Sequence, residues 1–281
     1  MESIFEVIEK RYSVRSYSSK EIEKDKLQKI KDYFDENRKG PLGSDVRFEI
    51  VDATGYEQDE LKKLGTYGLV KGPRVFMAGA VKKGKTAMED FGYCMEKNIL
   101  LATSLGLGTC WLGGTLNRST FALKLNTGTD ELIPAVTPIG YTGDKKTFTE
   151  NLVRMAIGAK NRKKPEELFF DKSIDAPLDP DSCGQYSKAL AAVRLAPSAS
   201  NKQPWRIIKD NENTWHFFLK ENAAYNNAFK DIKIQNLDMG IAMCHFELAA
   251  VELGLRGSWE ISEPSVASGG LKYVVSWVGA E

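Results

Sequence analysis

Two stretches of this chain repeat each other. Asp90–Trp111, DFGYCMEKNILLATSLGLGTCW, aligns without a gap on Asp238–Trp259, DMGIAMCHFELAAVELGLRGSW, and nine of the twenty-two positions are identical. Apolar residues three and four apart predict a long helix in each copy, closed by Gly106 or Gly254 and followed by a short segment carrying Trp. Chance similarity of two amphipathic helices explains scattered Leu and Ala, but explains an ungapped Leu-Gly-Leu and Trp poorly. The correspondence continues on both sides. RFEIVD (Arg47–Asp52) matches WRIIKD (Trp205–Asp210), PRVFMAG matches TWHFFLK, and AVTPIGY (Ala135–Tyr141) matches YVVSWVG (Tyr273–Gly279). Each half therefore reads helix, strand, strand, long helix, strand. A unit this long is no solenoid repeat. It predicts an α+β fold of two related α/β halves, 1–170 and 183–281, packed as an intramolecular pseudo-dimer. The stretch between them, DKSIDAPLDPDS (171–182), has the Pro, Asp and Ser of an exposed connection.

Composition narrows the function classes. Of 281 residues 42% are apolar and 27% charged, with a net charge of +1, so neither a nucleic-acid partner nor an acidic tail is indicated. The opening MESIFEVIEKRYS mixes acids into its apolar positions and lacks a signal-peptide core. Asn98–Asn117 is uncharged but holds four glycines, which fits a buried helix and turn better than a membrane span. The four cysteines, Cys94, Cys110, Cys183 and Cys244, make no C-x-x-C pair and read as core thiols of a cytoplasmic protein. Only two histidines, His216 and His245, are present, which excludes a His-rich metal site.

What the halves do not share points to chemistry. The first carries RYSVRSY (Arg11–Tyr17) after its opening helix, and the second has no equivalent. The second carries RLAPSASNKQPWRII (Arg194–Ile208), a helix-to-strand connection with small hydroxyls and amides and no acid. The matching place in the first half, RKGPLGSDVR (Arg38–Arg47), lacks those side chains. Complementary special segments in two related halves predict one composite site.

These segments resemble the nitroreductase-like FMN oxidoreductases. RYSVRSY resembles their R-x-S-x-R opening, and APSASNKQPW their P-S-x-x-N-x-Q-P-W loop. SLGLGTCW with the following LGG, AVTPIGY, and the basic tail GAKNRKKPEELF (Gly158–Phe169) resemble three further blocks. The resemblance covers nearly the whole chain. It differs in order: in typical members, which are shorter and dimerise, the N-x-Q-P-W loop comes early, whereas here it follows the basic tail. Fusion of a subunit pair, with decay of one site, gives that order and implies a monomer.

The resemblance implies FMN as cofactor and NADH or NADPH as reductant. It assigns Lys160 and Arg162 to the FMN phosphate, puts Arg11 and Ser13 near it or the ribityl chain, and places Tyr12 and Arg15 in the cofactor site, Arg15 alternatively as a structural anchor. A phosphate close to a dianion suits paired guanidinium groups, although each charge taken singly is more often a solvated surface group. Pro197, Ser198, Ala199 and Asn201 would line the ring and ribityl chain, with Gln203 and Trp205 bracing the loop. Leu112, Gly113 and Gly114 would bring backbone N–H groups to the flavin edge, or form an ordinary turn. No side chain stands out as acid or base, and no metal is implied. The expected reaction is ping-pong hydride transfer to a small electron-poor acceptor such as a nitroaromatic or quinone.

Two other readings remain. GAVKKGKT (Gly79–Thr86) matches the phosphate-loop pattern of nucleotide triphosphatases, with Lys85 on the phosphates and Thr86 on magnesium. No later apolar strand ending in Asp supplies a second magnesium ligand. The third reading is an FMN-binding protein without turnover.

Overall fold

The computed structural model describes residues 2–55, 70–113, 118–143, 161–222 and 232–280. Contacts divide the chain into two compact units. One comprises Lys10–Gly158, the other Met1–Glu9 together with Ala159–Glu281. The opening residues thus cluster with the C-terminal part of the chain.

In the Lys10–Gly158 unit, helix α2 (Lys24–Glu36) leads to an antiparallel sheet. Its strands are β1 (Val46–Asp52), β2 (Val75–Lys82), β3 (Gly108–Thr109), β4 (Glu131–Leu132) and β5 (Val136–Gly140). The order is β1-β2-β5-β3, with β4 pairing β2 beyond the end of β5. Helix α3 (Ala87–Ser104) is the long helix expected from the repeat, and α4 (Arg118–Leu125) adds Phe121 to the core against Phe76. The segment after Lys10 is stitched to this sheet as extended chain, Ser13 bridging Thr109 and Tyr17 bridging Thr142.

In the other unit, α1 (Ile4–Lys10) enters with its first turn tied to Glu252, whose carboxylate accepts the Ile4 N–H at 2.7 Å. The sheet is formed by β6 (Phe169–Asp171), β7 (Trp205–Lys209), β8 (Thr214–Leu219), β9 (Gly257–Glu260) and β10 (Lys272–Gly279). The order is β6-β7-β8-β10-β9, with only β6 parallel to its neighbour. Helices α5 (Ser187–Leu195) and α6 (Ile234–Glu252) complete it. Leaving out β6 and β4, the two sheets have the same strand order. Both long helices also end alike. Gly106 and Gly254 take φ of 77° and 79°, and the next residue's N–H reaches back to Ala102 O or Ala250 O at 2.9 Å. Only glycine adopts that left-handed closure at little cost. The connection 171–182 is mostly exposed, yet it joins the second unit through bridges Phe170–Pro177 and Ser173–Ala267.

The core of the second unit is aromatic, with Phe246 of α6 touching Tyr186, Trp215, Phe217, Trp259 and Trp277. On the other face of the sheet His216 lies opposite Ser276, Nδ1 to Oγ 2.7 Å, while its buried Nε2 has no hydrogen-bond partner among the described residues. Asp210 Oδ2 stands 3.8 Å from that nitrogen. Burial pushes His216 below its ordinary 6.5, against the opposing pull of Asp210. The unfolded chain therefore takes up a proton near pH 6.5 while the folded chain does not. Stability from this site is present above that pH and is lost as pH falls below it. Urea midpoints measured between pH 7.5 and 5.5 are expected to fall, with a shallower fall in His216→Asn. An equal slope in the variant would remove His216 as the cause.

Candidate functional site

The connection from α5 to β7 is the most heavily braced loop among the described residues. Pro197 cannot continue a helix and drives Ala196 to ψ 138°, so α5 stops with its last carbonyls unspent. Arg162 meets them, Nη2 to Leu195 O at 2.8 Å and Nη1 to Ala196 O at 3.0 Å. The same Nη1 reaches Asn201 Oδ1 at 2.8 Å. Beyond Pro197 the chain turns through left-handed backbone at Ser200, Asn201 and Gln203, with φ of 46°, 54° and 48°. For residues with a Cβ this costs about 1–2 kcal/mol each, so other bonds must hold the bend. Asn201 Nδ2 donates to Asn161 O at 2.7 Å, Gln203 Oε1 accepts the Lys163 N–H at 2.9 Å, and the Gln203 N–H goes to Ser198 Oγ at 2.8 Å. Arg194 Nε donates to Lys163 O at 2.7 Å. Arg206 reaches Gln203 O and Trp205 O, and burial lowers its pKa. The Ala199 N–H is taken by Asp238 Oδ1 of α6 at 3.0 Å. Pro197, Ser198 and Ala199 stay half-buried, presenting small side chains from a fixed backbone.

Arg162, Asn201, Gln203 and the 197–199 turn are thus one assembly within this unit. Lys160 and Gly114 lie outside the described residues.

The other unit holds the remaining expected residues. The Arg11 side chain is 6% exposed, its Nε 3.8 Å from Glu96 Oε1 and without a hydrogen-bond partner among the described residues. Glu96 is buried on α3 and accepts the Trp111 Nε1–H at 2.7 Å. Ser13 and Arg15 are half-buried and Tyr12 is exposed, its hydroxyl 3.5 Å from Thr142 Oγ1. Of the backbone donors expected at 112–114, the Leu112 N–H is spent on Val136 O at 2.9 Å. The Gly113 N–H has no partner among the described residues, and Arg118 holds the Gly113 carbonyl at 2.7 Å while also binding Ile133 O.

The phosphate-loop reading is overturned. Gly79–Val81 is not a loop but the paired centre of β2, in register with Phe48, Arg47 and Val46. A Cβ on Gly79 would fall 2.5 Å from the Phe48 ring, so this glycine makes room for an aromatic side chain rather than for phosphate. The Thr86 hydroxyl is engaged by Asp90 and Ser44.

Sequence reasoning missed Asp238, Arg194, Arg206 and Arg118 as parts of these assemblies. For Asp238 a signal existed, since it is the first identity of the repeat. Its counterpart Asp90 ties the matching loop, accepting the Leu42 N–H at 2.7 Å and the Ser44 N–H at 2.9 Å. Arg118 gave none, because the bonds it makes to Gly113, Ile133 and Pro134 go to backbone carbonyls, which any sequence has.

A family model described as "Putative TM nitroreductase" matches residues 3–250. The chain is similar in fold to a Thermotoga maritima MSB8 protein described as a putative nitroreductase. Identity is 19% and the TM-score 0.61, covering 99% of this chain and 94% of that one. A nitroreductase family protein of Clostridium novyi NT matches at 24% identity and TM-score 0.42, over 54% of this chain and 91% of that one. A Bacteroides fragilis NCTC 9343 nitroreductase with bound FMN matches at 22% and 0.40, over 53% and 92%. No curated protein matches the sequence significantly.

Proposed function

The chain belongs to this nitroreductase family, and from that premise we propose that it is an FMN-dependent NAD(P)H oxidoreductase. The observation that carries the reading is the Pro197–Gln203 bend, held in left-handed backbone by a web of side chains that has no other evident purpose. Strain of this kind persists where a site is preorganised. The residues fit the cofactor. Arg11 offers a buried guanidinium with an unspent Nε, Gly113 an unspent N–H, and Ser198 a hydroxyl proton, since its oxygen already accepts from Gln203. FMN itself, when bound, supplies the hydride chemistry. Arg11, Ser13, Arg15 and Lys160 would bind or neutralise the phosphate and ribityl chain, and Pro197, Ser198, Ala199 and Asn201 would line the ring and ribityl groups. NADH or NADPH and then a nitroaromatic or quinone would use the same face in turn.

The strand order that the two units share once β4 and β6 are left out, and their paired Asp anchors, support a duplicated, pseudo-dimeric chain, and a monomer is part of this proposal. No helix among the described residues is long and apolar enough to cross a membrane, and a cytoplasmic location remains part of this proposal. One FMN per chain is expected rather than two. In the Lys10–Gly158 unit the matching loop lies directly on Asp90, where a Cβ on Gly40 would fall 2.2 Å from the carboxyl group.

Titration of the apoprotein with FMN should saturate at one equivalent. NADH or NADPH should bleach the bound flavin anaerobically, and a quinone or nitroaromatic should restore the colour. Absence of FMN binding overturns the proposal, and binding without bleaching leaves a carrier rather than an enzyme.

A further inference from the structure

We propose that Asp238 is a positioning residue for FMN: by holding the Ala199 N–H from α6, it sets the Ser198–Gln203 bend in the form that receives the flavin. This rests on the flavin reading above. The braces on the bend come from two directions. Arg162, Asn161 and Lys163 hold its far side and the end of α5. On the helix side the bond is that of Asp238 Oδ1 to Ala199, 3.0 Å long, at the residue that begins the turn into left-handed backbone.

The matching position in the other unit shows what a purely structural aspartate looks like. Both oxygens of Asp90 are satisfied, Oδ1 by the Leu42 N–H and Oδ2 by the Ser44 N–H and the Thr86 hydroxyl. Asp238 is 3% exposed, and its Oδ2 has no hydrogen-bond partner among the described residues. Burial with so few donors pushes this carboxyl well above 3.8. The sign follows: the folded state keeps a proton that the unfolded state has released. Stability from this site is therefore present at acid pH and declines as pH rises above the ordinary carboxylate range. At neutral pH the residue costs stability, which an amide would not. An expensive group retained beside a ligand loop is the pattern expected of a site under functional demand.

The test measures FMN affinity of the apoprotein and urea unfolding of the same variants. Asp238→Asn keeps an acceptor for Ala199 and is expected to hold FMN within threefold while unfolding at higher urea than wild type at pH 7.5. Asp238→Ala and the isosteric Asp238→Leu lack the acceptor and are expected to weaken FMN at least tenfold. Leu fills the space that Ala leaves empty, and the urea unfolding of each variant reports its folding directly. FMN binding by Asp238→Leu within threefold of wild type overturns the inference. So does a loss in Asp238→Asn equal to that in Asp238→Leu. Wild-type protein that binds no FMN fails the flavin reading itself, a distinct result.

Discussion

Arg162→Ala is expected to abolish flavin binding and to lower stability by about 3–5 kcal/mol. The estimate follows from three hydrogen bonds donated by one guanidinium, two to carbonyls at the end of α5 and one to Asn201 Oδ1. Bonds from a charged donor contribute about 1.5–3 kcal/mol each, and bonds sharing one side chain do not sum fully. Removing them takes away one of the two side-chain bonds that hold Asn201 in left-handed backbone, together with the cap on α5, and loosens the bend. Arg162→Lys should recover less than half of the loss, because an ammonium on a flexible stem cannot reach three acceptors in a fixed fan. The family resemblance assigns Arg162 to the FMN phosphate, whereas its bonds in the structure are those of a brace. Riboflavin, which has no phosphate, separates the two roles. A brace predicts that Arg162→Ala loses riboflavin as well as FMN in fluorescence titrations. Unchanged riboflavin affinity in the variant would return the residue to the phosphate.

The helices and strands of this α+β fold were legible because their signals are local and repeated. Period and punctuation mark α3 and α6, and the Leu-Gly-Leu closures become the two left-handed glycines at 106 and 254. The correspondence of β1 with β7 and of β2 with β8 was legible because each is a short apolar run at the same place before its long helix. The loop at 196–204 was visible as a site by its chemistry, but not as a mechanism. Nothing in APSASNKQPW shows that Gln203 turns back onto the Lys163 N–H or that Arg162 caps α5, since those bonds join segments far apart in sequence. The phosphate-loop match misled for a related reason. A pattern of glycines and lysine fixes spacing, yet Gly79 in β2 makes room for the Phe48 ring of β1 and the Phe91 ring of α3. Division of the chain was hardest to read, because the contact that draws residues 1–9 to the far end runs through Glu252.

Phe246→Ala should be the most damaging single truncation in the unit that carries the loop, with an expected loss of about 3–5 kcal/mol. The ring is fully buried and sits among five aromatic side chains. It stacks on Tyr186 at 5.6 Å and meets Phe217 and Trp277 edge-on at 5.4 and 5.7 Å. Those partners come from the segment before α5, from β8 and from β10, so one ring joins three parts of the unit. Rigid Trp and Tyr rings cannot collapse into the vacated space, which places the cost at the upper end of the usual range. Phe246→Leu, which keeps most of the volume, should lose about 1–2 kcal/mol. Tryptophan fluorescence during urea unfolding reads this unit directly, since four of the five tryptophans, all but Trp111, belong to it. Phe246 lies two turns beyond Asp238 on α6, so any repacking that shifts the helix also moves the carboxyl away from Ala199. The Ala variant should therefore bind FMN at least tenfold more weakly, even below the urea concentration where it unfolds. Normal affinity with lowered stability would mean that the aromatic cluster and the loop are independent, and that α6 does not transmit between them.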